Sequence, residues 1–269
     1  MAKRRFLSGS WALVTGASAG LGREIATQLA EKGCNIVAAS RNTEKLESLK
    51  SELEHGFGIK AAVVTCDLSV QGSAEKLHSA CGSMDIDINL LINNAGLGMI
   101  GSCTEQNTAR IEELLTLNIL ALTTLSNLFA ADMKKRRSGY ILNIGSLAGF
   151  QPSPYFASYA ASKSYVFNFT IALHYEMKKH GVSVTCFLPG YIKTDFDRNA
   201  LISNKRYLTI SEKNALPADK TAAMALTALF RNKVYQIAGA KNRLLMATAA
   251  LLPVKLKAAV VGKAAAQYT

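Results

Sequence analysis

Short runs of apolar and β-branched residues recur along the chain at 11–15, 35–39, 61–65, 88–92, 140–144 and 182–187. Between them, apolar positions return every three or four residues near 20–32, 43–54, 73–82, 107–134 and 156–180, which is the spacing of one helix face. Strands alternating with helices predict a parallel sheet covered on both sides, and strands buried on both faces must be apolar throughout, as these are. The predicted class is therefore α/β, a Rossmann-type doubly wound parallel sheet of about seven strands flanked by helices.

No Pro/Ser-rich linker, charge block or internal period divides the chain, and Pro152 and Pro154 sit in a short connection. Residues 1–269 are read as a single domain. After Pro189 the pattern changes: 196–216 is polar, lacks clear periodicity and is too long for an ordinary connection, which predicts a lid over the substrate. Beyond it, 219–231 reads as a helix and 234–237 as a last strand. Pro253 divides a basic C-terminal tail, near 241–269, into two short helical stretches.

A hydrophobic fraction of 49% with 19% charged residues excludes a disordered chain. The net charge of +12 is unevenly placed, because residues 221–269 contain Lys and Arg but no Asp or Glu. Besides solubility, such a balance fits nucleic acid, an anionic membrane surface, or acidic substrates and cofactors. No basic-aromatic interleaving or reader motif accompanies it, so nucleic acid is excluded. Leu244, Leu245, Leu251, Leu252 and Leu256 stand among Arg243, Lys255 and Lys257, which leaves open peripheral membrane contact or plain packing of the leucines on the domain.

Lys3, Arg4 and Arg5 precede an apolar stretch, but glycines interrupt it, and no uncharged apolar run reaches the roughly 18 residues a bilayer requires. The expectation is a cytoplasmic protein, with attachment at a membrane surface left open. Cys34, Cys66, Cys81, Cys103 and Cys186 are odd in number and form no CxxC pair, which fits a reducing compartment and neither disulfides nor zinc. His55, His78, His174 and His180 lack HExxH spacing, and Ile144-Gly145-Ser146-Leu147-Ala148 lacks the outer glycines of a nucleophile elbow. Hydrolytic and metal chemistry drop out.

The first strand runs into Thr15-Gly16-Ala17-Ser18-Ala19-Gly20-Leu21-Gly22. Glycines at 16, 20 and 22 let the backbone turn tightly, approach a ligand and pack helix on strand, while the helix N-terminus offers N–H groups to an anion such as pyrophosphate. The spacing is TGxxxGxG rather than GxGxxG or a P-loop. It resembles the dinucleotide turn of the short-chain dehydrogenase/reductase family. At the end of the second strand, where NAD-specific Rossmann domains carry an acid, the chain reads Ser40-Arg41-Asn42. Arg41 offers a cation and planar donors to a 2′-phosphate, so NADP(H) is favoured over NAD(H). Cys66-Asp67-Leu68 and Asn93-Asn94-Ala95-Gly96 fit the same resemblance, which implies that Asp67 bonds adenine and that Asn94, Ala95 and Gly96 line the adenosine side. On their own, Asp67 could cap a helix and Asn94 could hold a turn.

Tyr159 and Lys163 are four apart in a helical stretch and share a face. An ammonium beside a phenol lowers its pKa, making Tyr159 a usable proton donor or acceptor. Ser146 closes the fifth strand, at the carboxyl end where such sheets bind ligands, and Asn118 lies in the long helix before it. In order and spacing the four match the family's Asn-Ser-Tyr-Lys tetrad.

The resemblance covers about residues 10–195. It implies that Ser146 polarises a substrate carbonyl, Tyr159 exchanges the proton, Lys163 bonds the nicotinamide ribose and lowers the Tyr159 pKa, and Asn118 holds a water. In Pro189-Gly190-Tyr191-Ile192-Lys193-Thr194 it implies a cofactor-binding segment that includes Pro189 and Gly190, with the Ile192 backbone and the Thr194 hydroxyl binding the nicotinamide carboxamide. The reaction expected is NADP(H)-dependent interconversion of a carbonyl, in a ketone, aldehyde or 3-oxoacyl compound, with a secondary alcohol, by a homodimer or homotetramer. An idle NADPH-binding module and an NAD-dependent alcohol or steroid dehydrogenase remain as alternatives. Phe150, Tyr155, Tyr191 and Phe196 point to an apolar substrate pocket, whereas Lys205, Arg206 and Lys213 would suit an acidic carrier such as acyl-CoA.

Overall fold

The computed structural model describes residues 7–194, 196, 202 and 204–268. Each apolar run becomes a strand: β1 (Trp11–Thr15), β2 (Asn35–Ser40), β3 (Ala61–Thr65), β4 (Ile88–Asn93), β5 (Gly139–Ile144), β6 (Val182–Leu188) and a short β7 (Tyr235–Ile237). They form one parallel sheet in the order β3-β2-β1-β4-β5-β6-β7. Strand order reverses between β1 and β4, so the loops leaving their carboxyl ends part and open a crevice there.

Among the described residues, ten α-helices accompany the sheet: α1 (Gly20–Ala30), α2 (Thr43–Phe57), α3 (Ser73–Ser83), α4 (Thr108–Leu115), α5 (Leu122–Arg136), α6 (Ala157–Lys178), α7 (Lys205–Asn214), α8 (Ala218–Phe230), α9 (Ala240–Ala250) and α10 (Val254–Ala265). Successive strand side chains point to opposite faces, and both faces are covered. Ala12 and Val14 of β1 therefore join Ile25 and Leu29 of α1, Leu49 of α2 and Leu229 of α8 in one core. Leu13 joins Leu77 of α3, Phe129 and Met133 of α5 and Met177 of α6 in the other.

A π turn over Thr116–Ala121 joins α4 to α5, so that 108–136 is one long helix. This helix is long and apolar enough to cross a membrane, which the expectation that no stretch reaches that length did not foresee. In the fold its apolar side is spent on the sheet, through Leu125, Phe129 and Met133.

The stretch 196–216 is not irregular throughout, as its lack of periodicity suggested. Part of it, 197–201 and 203, lies outside the described residues, as do Lys3, Arg4 and Arg5. From Lys205 it is helical, started by the Asn204 side chain, which accepts from the Tyr207 N–H at 3.0 Å. Its buried positions, Tyr207 and Ser211, are too few and too mixed in polarity to give a readable period. The end of the stretch is tied back to the loop after β6, Leu216 N donating to Tyr191 O at 2.9 Å and Lys193 N to Leu216 O at 2.9 Å.

Candidate active site

The glycine turn between β1 and α1 is built by sterics. Gly16 and Gly20 hold φ of +66° and +54°, a region that L side chains rarely adopt. A Cβ on Gly22 would lie 2.4 Å from both the Asn94 side-chain nitrogen and the Gly16 carbonyl oxygen. That close approach is used. The Asn94 amide donates to Thr15 O at 3.0 Å and Gly16 O at 3.3 Å, and the Thr15 hydroxyl oxygen accepts from the N–H groups of Asn94 and Ala95, both at 3.0 Å. Asn94 thus pins the loop after β4 to the turn after β1, on both sides of the crevice. Ala17 is fully buried beneath the turn, and Gly22 is buried where α1 meets it.

The crevice is a cleft of about 1320 Å³. Of the predicted cofactor residues, Gly16, Ser18, Ala19, Gly20, Leu21, Arg41, Asp67, Leu68, Asn94, Ala95, Gly96, Pro189, Gly190, Ile192 and Thr194 line it. Thr194 reaches across to the glycine turn, its methyl lying where a Cβ on Gly20 would go. Arg41 is largely exposed, 3.7 Å from the Asp67 carboxylate. Partial burial pushes the Asp67 carboxyl up, but hydrogen bonds from the Ser69 hydroxyl and N–H and the Arg41 charge together bring it below its ordinary value. Asp67 turns the chain at Ser69 and does not cap α3, whose N-cap is Gly72. Lys45, in the first turn of α2, lines the same corner and was missed.

Ser146, Tyr159 and Lys163 line the same cleft. Ser146 leaves β5 and caps a short 3₁₀ turn (Leu147–Phe150), its hydroxyl oxygen accepting from Ala148 N at 3.2 Å, so its proton is left to donate. This turn lies directly on α6, because a Cβ on Gly149 would come 2.6 Å from the Lys163 backbone. The Lys163 ammonium is buried 5.9 Å from the centre of the Tyr159 ring and donates to Ile144 O at 3.1 Å. Burial draws its pKa down to about 8.

Asn118 does not line the cleft. It sits behind it in the π turn, its amide oxygen accepting from Leu97 N at 2.9 Å and its nitrogen donating to Leu97 O at 2.9 Å and the Ser162 hydroxyl at 3.1 Å. Both N–H donors and the oxygen of the amide thereby hold the loop after β4 against α6.

The substrate half of the cleft differs from the expected list. Tyr191 and Phe196 line it, and the Phe196 ring is 6.3 Å from that of Tyr159. Phe150 does not, since it turns away to pack on Phe167 and Tyr235. Tyr155 does not either, being held at φ +66° with its carbonyl accepting from Gly101 N. The cations Lys205, Arg206 and Lys213 stand exposed on α7, whose inner face brings Tyr207, Ser211 and Asn214 to the cleft. Sequence reasoning also missed Gln151, Ser153, Phe156 and a long contribution from α9, α10 and the turn between them, including Asn242, Leu245, Leu252 and Val260. Cys66 also lines the cleft, and burial pushes its thiol and that of Cys81 up to about 11; away from the cleft, burial pushes the Cys34 and Cys186 thiols up to about 12, which leaves all four inert packing groups.

Residues 10–204 match the family model for short chain dehydrogenases. Very-long-chain 3-oxoacyl-CoA reductases from Pyrenophora tritici-repentis and Bos taurus are 32% identical over 206 residues and 33% identical over 192 residues, covering 74% and 69% of this chain. The chain spans only 60% of the length of each of these curated relatives. Among solved structures, a short-chain dehydrogenase from Sphingobium yanoikuyae in complex with NADPH superposes with a TM-score of 0.80 at 28% identity, over 90% of this chain and 93% of that one. The order of β1 to β7, the glycine turn with its Asn94 clasp and the match over 10–204 lead to one conclusion: this chain belongs to the short chain dehydrogenase family.

Proposed function

We propose that this protein is an NADP(H)-dependent oxidoreductase that reduces a carbonyl to a secondary alcohol, with a 3-oxoacyl thioester or similarly apolar ketone as substrate. One observation carries the reading: Tyr159 and the buried Lys163 face the same cleft as the glycine turn and the Arg41 corner. The cleft suits the dinucleotide. Gly16, Gly20 and Gly22 leave no side chain over the N-terminus of α1, where a pyrophosphate would be held, and Arg41 with Lys45 offers two cations to a 2′-phosphate. When bound, the nicotinamide supplies the hydride.

The protein's own part is proton transfer and orientation. The Ser146 hydroxyl donates to the substrate oxygen, and the Tyr159 phenol gives that oxygen its proton in reduction or takes it in oxidation. The Lys163 charge beside the phenol favours phenolate, easing that transfer. Asn118 positions the loop and helix around them and, as in the family it resembles, would hold a water linking Lys163 to solvent. Residues 7–194 and the helices that follow act as one domain, with the stretch near 196–216 as a lid and 241–269 as a basic tail. Assembly as a homodimer or homotetramer, residence in the cytoplasm and peripheral contact with a membrane through the tail belong to the same reading.

The test is NADPH oxidation with a panel of ketones, aldehydes and 3-oxoacyl thioesters. Turnover by the wild type that falls by about 10³-fold or more in Tyr159→Phe, with NADPH binding kept, is the expected result. Cofactor binding with no turnover of any carbonyl by either protein would sink it.

A further inference from the structure

Almost nothing on α9 and α10 is buried: α9 has no buried residue, and α10 has only Ala265. Yet these helices and the turn between them expose large apolar side chains, among them Leu251 at 84%, Leu244 at 69% and Val254 at 60%. A water-soluble protein gains most helix stability by burying an apolar face, so an outward-facing group of this kind calls for a partner. Around it stand exposed cations, Lys241, Arg243, Lys255 and Lys263, while no Asp or Glu occurs anywhere in 221–269.

The same helices wall the cleft. Leu245, Leu252 and Val260 are both exposed and part of its lining, so the apolar exterior continues into the interior that holds Tyr159. The helices sit close on the rim of that site, because a Cβ on Gly262 would come 3.1 Å from Pro154 and one on Gly190 would come 2.9 Å from the Asn242 amide nitrogen.

We propose that α9 and α10 dock on an anionic phospholipid bilayer and that an apolar carbonyl substrate enters from it, between these helices, towards Tyr159. The entry half rests on the catalytic reading above; the docking half does not. Two features choose the occupant. A second copy meeting this face by two-fold symmetry would set cations against cations with no carboxylate on either helix to pair them. A bilayer with acidic headgroups answers both the charge and the leucines, the headgroups taking the cations and the acyl boundary the apolar side chains.

The test uses the full chain and two triple variants outside the cleft lining, Leu244→Ser/Leu251→Ser/Leu256→Ser and Lys241→Gln/Arg243→Gln/Lys255→Gln. Sedimentation with phosphatidylcholine vesicles, with or without about one-third phosphatidylglycerol, should show binding only to the charged vesicles, weakened by salt. The charge variant should bind on the order of a hundredfold more weakly and the leucine variant at least about tenfold. Both should keep the wild-type melting temperature and turnover of a short water-soluble ketone. A long-chain methyl ketone dissolved in charged vesicles should be reduced with several-fold higher kcat/KM than in neutral ones by wild type alone.

Equal binding to neutral and charged vesicles, or by wild type and variants, overturns docking. So does self-association, lost in the leucine variant, without vesicle binding. Vesicle binding with no gain for the long-chain ketone, while the soluble one turns over, overturns the entry route. Absence of all carbonyl turnover counts against the catalytic reading and the entry route together, and vesicle binding alone then decides docking.

Discussion

The Lys163 ammonium is buried, with a single carbonyl oxygen accepting from it at 3.1 Å and its pKa drawn down to about 8 against an ordinary 10.5. Between those values the unfolded chain holds a proton that the folded chain has released, so stability should rise with pH across that window. Below pH 8 the burial penalty stands in full. Lys163→Met should therefore melt higher than wild type at pH 7, by on the order of 2 kcal/mol after allowing for the lost hydrogen bond, with the gap closing towards pH 10.5. Thermal unfolding at several pH values checks this, and a variant less stable at every pH would refute it. For the proposed reduction, kcat/KM should fall above pH about 8 as the lysine charge is lost. At the far end of the cleft, Arg41→Ala and Lys45→Ala should each weaken NADPH binding about tenfold and leave NADH binding unchanged, as titration calorimetry would report. Arg41 and the missing acid after β2 could be read from the sequence alone. Lys45 could not, because its relevance depends on where the first turn of α2 points.

Among the elements, close contacts at glycines set the geometry more than any side chain does. Gly149 lets the turn carrying Ser146 lie on α6 at Lys163, with no room for a Cβ 2.6 Å from backbone. Gly149→Ala should push that turn off α6, destabilising the fold by roughly 1–3 kcal/mol and lowering kcat more than it raises KM. Steady-state kinetics beside a melting curve would separate this from a purely structural loss, in which kcat per folded molecule is unchanged. The π turn over Thr116–Ala121 works similarly, setting Asn118 where its amide meets Leu97 and Ser162. Strands and long helices were legible because each is written many times over in a repeating pattern. The π turn, the close approach at Gly149 and the helix α7 were not, since each rests on one or two residues or on contacts with distant elements.

At the scale of the molecule, binding at the crevice joins loops from β1, β2, β4, β5 and β6, so a ligand there should stabilise the whole fold. NADPH at about a hundred times its dissociation constant should raise the melting temperature by roughly 5 °C or more, and NADH at equal concentration by clearly less. Equal shifts would remove the preference ascribed to Arg41. By itself the sequence determined the α/β class, the run of strands, the dinucleotide turn and the chemical types at 146, 159 and 163, because period and short motifs are local properties of the chain. Only the tertiary structure decided which residues share a cleft: it excluded Phe150 and Tyr155, admitted Lys45, put Asn118 behind the wall and laid the two helices of the basic tail over the site. Those outcomes depend on packing between residues far apart in the chain, and no local pattern records where a distant helix comes to rest.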